Sequence, residues 1–309
     1  MVSLTVQKTY NGIELAGLLE EMYPDFSPKA FKAAFKAGDI TLNGQKAYGD
    51  DTVKTGDVIR IFVTGDILGV NLIPKNVYQD ENFVFVDKPA GLPTVSEAGE
   101  PNVVNMVEEL MKQKGQYSLR ALLVPYLIYP LEKYVSGLLL FAKHEDAYLF
   151  LVEALNQRRI IRYYVCPVKG HAEEGDELMA YLTQNKAKKH VAILDKHQKD
   201  AKPIVTRYTA LLVRDEMSLL RVRPVTNFLH QVRAHLAFDG LPIVGDSVYG
   251  DKRFNKKTGA DHIALWLKTV MFEVGNGHEY MYMNGKRFES QSHSFPRCVY
   301  DQGLVKAGK

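Results

Sequence analysis

The stretch Leu131-Glu132-Lys133-Tyr134-Val135-Ser136-Gly137-Leu138-Leu139-Leu140-Phe141-Ala142-Lys143 decides the reading of this chain. Its second half, Gly137 to Lys143, is a short apolar run of strand length. Its first half carries a carboxylate and an ammonium side by side. Working outward, similar β-rich runs recur at Phe83 (FVFVDK), Arg162 (RYYVCPV), Val205 (VTRYTALLV) and Ser218 (SLLRVRPV). Helical patterns lie between them near 102–113, 144–156 and 230–238, which excludes an all-β and an all-α chain. The fold class expected is mixed α+β.

Further outward, the first sixty residues read as a separate small unit. Ile13, Leu15, Leu18 and Leu19 form one apolar helical pattern, and Asp25 or Ser27 is placed to cap a second helix that closes on Gly38. Ile40 to Leu42, the turn pair Asn43-Gly44 and the run Asp57 to Val63 then predict paired strands. Residues 64–74 hold two glycines and a proline and read as a linker. The larger unit spans 75–289, and 290–309 reads as a polar C-terminal tail.

With 309 residues there is chain enough for two domains with their own cores. A net charge of +3 is too small to point to a polyanionic partner, so any basic site must be local. Two clusters qualify. Lys29, Lys32 and Lys36 share one face of the second helix. Lys186, Lys188 and Lys189 belong to a stretch from Asn185 to Lys202 with six lysines against two aspartates. Each is either a solvated surface or a contact to an RNA phosphate backbone.

Several chemistries lack their residues. Cys166 and Cys298 are too far apart in sequence to suggest a disulfide framework or a paired-thiol zinc site, and a reducing compartment fits them. No apolar run reaches membrane-spanning length, and no signal-peptide pattern opens the chain, so a cytoplasmic protein is expected. Gly275-Asn276-Gly277 and Asn284-Gly285-Lys286 do not make a phosphate-cradling glycine loop, which argues against a nucleotide cofactor. His230 and His235, five apart, fall on different helix faces, which argues against a metal. Ser136-Gly137 lacks the first glycine of a nucleophile elbow.

The surviving segments form one ordered set. Lys88 to Pro93, Leu131 to Lys143, Arg162-Tyr163-Tyr164, Thr206-Arg207-Tyr208, His230 to Ala237, Gly245 to Gly250 and Ala264 to Leu267 together resemble the RluA-type pseudouridine synthases over about residues 75–275. Residues 1–63 resemble the S4 RNA-binding domain that many members carry in front, most closely along KAFKAAFKAGDITLNGQKA. That unit carries seven basic against eight acidic side chains, a balance of −1 that argues against it gripping RNA strongly by itself.

The resemblance implies a pseudouridine synthase core with a mixed, mainly antiparallel sheet. It also implies a reaction on a uridine of structured ribosomal or transfer RNA, run by an aspartate without metal or organic cofactor. A monomer is expected. By position, Glu132 stands where the family has its aspartate, Tyr164 where it has its active-site tyrosine, and Arg162 where it commonly has lysine. A phenol face there suits stacking on a base drawn out of its helix. Lys133 and Arg233 are further cations expected to face RNA, and with Arg162 they are the candidate counter-charges of Glu132.

Two departures from the family pattern shape the functional expectation. Glu132 is one methylene longer than aspartate, and a misplacement of about 1 Å can cost on the order of a hundredfold in rate. Phe228 aligns with the arginine taken to pair with that carboxylate, while Arg233, five residues on, is expected to point elsewhere on a helix. Pro130 also stands in place of an arginine available to the RNA strand. The expectation is an RNA-binding protein whose isomerase activity is weak or lost. Its first alternative is an active enzyme using Glu132. A second is a protein-interaction module with an apolar cleft lined by Tyr129, Phe228 and Trp266.

Overall fold

A computed structural model describes residues 2–64, 72–96, 99–185, 190–275, 277 and 279–305. The first unit contains β1 (Val2–Thr5), α1 (Leu15–Met22), α2 (Pro28–Ala37), β2 (Ile40–Leu42), β3 (Gln45–Lys46) and β4 (Val58–Ile61). Its antiparallel sheet runs in the order β1-β4-β2-β3. Ser27 caps α2 by accepting from the Ala30 amide, Pro28 follows at the first helical position, and Gly38 ends the helix at φ 80°. The strand Val2–Thr5 gave no signal in the sequence because it is short and lies at the sheet edge. Leu15, Leu18, Leu19, Phe31, Ile40, Ile59 and Ile61 close a core belonging to this unit alone.

The larger unit is built on an eleven-stranded sheet. Its strands are β5 (Lys75–Gln79), β6 (Phe83–Lys88), β7 (Tyr126–Leu127), β8 (Ser136–Ala142), β9 (Ile160–Lys169), β10 (Gly175–Asn185), β11 (His190–Leu194), β12 (Lys202–Val213), β13 (Met217–Pro224), β14 (Trp266–Phe272) and β15 (Arg287–Glu289). The order is β11-β10-β12-β13-β9-β14-β8-β6-β5, with β7 on β8 and β15 on β14. Among these pairs only β14 with β8 is parallel; the rest are antiparallel. The helices are α3 (Val103–Gln113), α4 (Glu145–Asn156), α5 (Gln231–Phe238), α6 (Lys252–Thr258) and α7 (Arg297–Asp301). The mixed, mainly antiparallel α+β architecture expected from the sequence is the one present.

Strands β6 and β8 are buried along their whole length, which is why they read as unbroken apolar runs rather than alternating ones. Where β8 meets β14 the backbones approach so closely that a Cβ on Gly137 would collide with the Leu267 carbonyl. Gly137 also holds φ 124°, a conformation open to glycine.

Residues 290–305 are anchored rather than loose. Phe295, Val299 and Leu304 are buried with Trp266 and Ala264. Asp87 accepts from the Ser290 hydroxyl and the Gln291 amide at 2.6 and 2.8 Å. From this segment Arg297 donates to the Gly38 carbonyl and Tyr300 lies against Phe62, 5.3 Å between ring centroids, so it is also a seat for the first unit. Its serines and histidine mask these anchors in the composition.

Candidate active site

A cleft of about 410 Å³ opens between the loop before β8, the start of β9, and the turn leading into α5. Its lining brings together Glu132, Arg162, Tyr164 and Arg233, with Phe228 and His230 beside them. Residues distant in sequence thus meet at one site, of a size suited to a small molecule or a single nucleoside.

Glu132 is carried by a loop pinned on both sides. Upstream, the Thr94 hydroxyl donates to the Leu131 carbonyl at 2.6 Å and accepts from its amide at 3.2 Å. Downstream, the wholly buried Lys88 ammonium donates to the carbonyls of Lys133 and Leu92, each at 2.8 Å, and of Pro89 at 3.1 Å. The Gly91 amide adds a second bond to the Lys133 carbonyl at 3.0 Å. Burying an ammonium is costly, and carbonyl dipoles on several sides offset that cost. The Glu132 side chain itself stays 43% exposed, open to the cleft.

The counter-charge is Arg233. Its Nη1 donates to Glu132 Oε2 at 2.5 Å, while Nε and Nη2 grip Asp246 at 2.7 and 2.6 Å. The expectation that Arg233 points elsewhere is therefore corrected. It assumed one continuous helix through 228 and 233, but α5 begins at Gln231, and His230 before it holds a left-handed φ of 53°. That bend turns the first helical turn into the cleft. Nor is Arg233 an RNA-facing cation: it is 5% exposed and its donors are committed to two carboxylates.

Asp246 was not singled out by sequence, although its turn was. Gly245, at φ 76°, lies where a Cβ would strike the His262 carbonyl, and this close passage buries Asp246 completely. Burial pushes the Asp246 carboxyl up, but the Arg233 guanidinium and the Tyr249 and Val248 amides outweigh it and hold it below the ordinary carboxylate range. For Arg233 burial works against the charge, and bonds to Asp246 and the charge of Glu132 raise it above its usual value. An acid bracketed by glycines in a turn is the signal that marks such a residue.

His230, which the sequence marks only as one of a rejected metal pair and as the start of a family-like segment, also belongs to the site. Its Nε2 faces Glu132 Oε1 at 3.3 Å, and its Nδ1 is 3.1 Å from the Tyr249 hydroxyl. The Val191 amide donates to that hydroxyl, which leaves the Tyr249 proton for His230 Nδ1 and puts the ring's own proton on Nε2, on the Glu132 side. Burial lowers the His230 pKa, Glu132 opposes this, and Arg233 adds to it, so the ring is neutral at pH 7.

Arg162 and Tyr164 are two apart on β9 and so share its cleft face. Tyr164 is buried, and burial raises its phenol pKa above the ordinary value, with Glu132 acting the same way and Arg162 opposing. Arg162 donates to Asn227 Oδ1 at 2.8 Å and lies over the Tyr129 ring at 5.1 Å. Phe228 and Leu229 stand at the rim, 37% and 41% exposed. Trp266 does not line the cleft; its indole donates to Ser290 among the anchored C-terminal residues. Lys133 is exposed above Tyr134. Lys29, Lys32 and Lys36 are all exposed on α2, and Lys186, Lys188 and Lys189 lie outside the described residues.

The model of the RNA pseudouridylate synthase family matches residues 82–238, a span that contains every cleft residue named above except Asp246 and Tyr249. The chain belongs to that family. Ribosomal large subunit pseudouridine synthase D of Xanthomonas campestris is 30% identical over 262 residues, covering 83% of this chain and 77% of the relative. Synthase C of Vibrio parahaemolyticus is 23% identical over 290 residues, covering 88% and 89%. Among solved structures, human RNA pseudouridylate synthase domain containing 4 superposes with a TM-score of 0.59 at 19% identity, covering 74% of this chain and 93% of that one. Pseudouridine synthase membership and the α+β core therefore agree with what the sequence led one to expect.

Proposed function

We propose that this pseudouridine synthase is an active isomerase that converts uridine to pseudouridine in ribosomal RNA, with Glu132 as its nucleophile. One observation carries the reading: the Glu132 carboxylate is in ionic contact with the buried Arg233, opposite Tyr164 in one cleft. The reason to expect lost activity was a carboxylate without its cation, and the cation is present. The ribosomal substrate is proposed because the similar proteins are ribosomal large subunit pseudouridine synthases.

In this reading the Glu132 carboxylate attacks ribose C1′ of a uridine drawn into the cleft, and the C1′–N1 bond breaks with its electrons going to the base. The uracil turns on the Tyr164 face. C5 then bonds to C1′, the carboxylate leaves, C5 gives up its proton and N1 takes one up. Arg233, fixed by Asp246, holds the carboxylate in its attacking position without having to reorganise. Arg162 is proposed to act beside Tyr164. The first unit, with Lys29, Lys32 and Lys36 exposed on α2, is proposed as an S4-like accessory RNA contact, and Lys133 as a strand contact at the loop. The protein is proposed to work in the cytoplasm as a monomer.

The test is to map pseudouridines by carbodiimide treatment across cellular RNA with and without this gene, then to restore the gene as wild type or Glu132→Ala. The expected result is one or more sites lost on deletion, regained with wild type and not with Glu132→Ala. No site lost would sink the reading. RNA bound by the purified protein with no product would favour binding without isomerisation, which the proline at 130 and the longer acid at 132 also suit.

A further inference from the structure

A small hollow of about 10 Å³ adjoins the cleft and shares Arg162, Pro224 and Asn227 with it. Arg158 and Arg223 bring two more guanidinium groups to its wall, and no lining residue is acidic. Arg162 commits one nitrogen to Asn227. Among the described residues, the side chains of Arg158 and Arg223 have neither an ion pair nor a hydrogen-bond partner. Their neighbour Arg207, directly opposite Arg223 in the β12–β13 register, is by contrast paired with Glu177.

Arg158 carries a second anomaly. It sits just past the end of α4 at φ 61°, the left-handed position where glycine is the usual residue. A long cation kept in a conformation that glycine adopts without penalty is a position held for its side chain. Like charges gathered without an acid repel one another, and a tetrahedral dianion or diester removes that repulsion with bidentate geometry suited to arginine.

We propose that Arg158, Arg162 and Arg223 form a phosphate site that seats a backbone phosphate of the RNA next to the uridine held in the cleft. The inference rests on the RNA-modifying reading of that cleft, and it assigns the site a positioning role rather than a chemical one.

Two measurements on the full chain test it. Arginine side-chain NMR with inorganic phosphate as probe should give a saturable shift in wild type that is absent in Arg158→Ala/Arg223→Ala. Binding of a uridine-containing ribosomal RNA fragment across a salt series should weaken roughly tenfold in that variant, with the salt slope reduced by about 0.7. Arg158→Lys/Arg223→Lys should keep the slope, and Lys252→Ala/Lys256→Ala on α6, outside the hollow, should leave affinity unchanged. The isomerase kcat should hold while KM rises. No saturable phosphate shift, or an unaltered slope and affinity in the alanine pair, overturns the site. Weakened binding with no pseudouridine formed by wild type upholds the site while the isomerase reading falls; normal product with unaltered binding does the reverse.

Discussion

Arg233 is shared between two carboxylates of unlike surroundings: Glu132, open to the cleft, and Asp246, sealed from solvent. The sealed partner fixes the guanidinium in place and the open one receives the benefit. Truncating Arg233 leaves Asp246 as a buried charge without its cation. Arg233→Met is expected to lose about 3–5 kcal/mol in urea unfolding, together with all isomerase activity. Arg233→Met/Asp246→Leu should recover part of that stability and none of the activity. Full stability in the single variant would contradict the arrangement.

For Glu132 the expectation separates charge from reach. Glu132→Gln keeps the shape and loses the nucleophile, so single-turnover assays should find no product while RNA affinity stays within about twofold. Glu132→Asp withdraws the carboxylate by about 1 Å from a setting built by Arg233 and His230 for the longer chain. It should slow the chemical step on the order of a hundredfold. A faster enzyme in the aspartate variant would mean that the cleft is still set for the shorter acid.

Lys88 supports the site from below. Lys88→Met leaves the carbonyls of Pro89, Leu92 and Lys133 short of a donor, at about 1–3 kcal/mol for the loss. The Lys133 carbonyl keeps its bond from the Gly91 amide, so the loop carrying Glu132 is loosened rather than freed. The expected outcome is a lower melting temperature and a reduced kcat with RNA affinity retained, read by calorimetry and filter binding.

His235 gives the pH dependence its sign. Burial alone lowers its pKa from 6.5 to about 4, with its Nδ1 against the Thr206 hydroxyl. The unfolded chain then binds the proton more readily than the folded one. Stability is whole above about pH 6.5 and falls as the pH drops towards 4, by about 3 kcal/mol in total. His235→Gln should flatten that part of the profile in denaturant titrations run from pH 7 to pH 4. An unchanged profile would place the acid sensitivity elsewhere.

Much of this was legible in the sequence because it rests on local pattern. The apolar runs of β6 and β8, the Ser27 and Gly38 caps of α2, and the ordered motifs around Glu132 and Tyr164 each declare themselves within a few residues. What was not legible depends on a single backbone bend. Whether Arg233 meets Glu132 is decided by the left-handed His230, a conformation without a reliable sequence signal in a non-glycine residue. Asp246 was hidden for a related reason: its importance comes from a contact across 13 residues that a close glycine passage creates. Phe228 aligns with a family arginine, but the cation that Glu132 meets sits on α5.

The seat formed by Arg297 and Tyr300 has a consequence for biosynthesis. The first unit has its own core and can condense early, while the residues that hold it against the larger unit are translated long afterwards. Until the ribosome has released them, the two units lack the Arg297 and Tyr300 contacts. Their alignment is thus set only after both cores have been made, and a stop before position 297 would also strip Val299 and Leu304 from the core around Trp266.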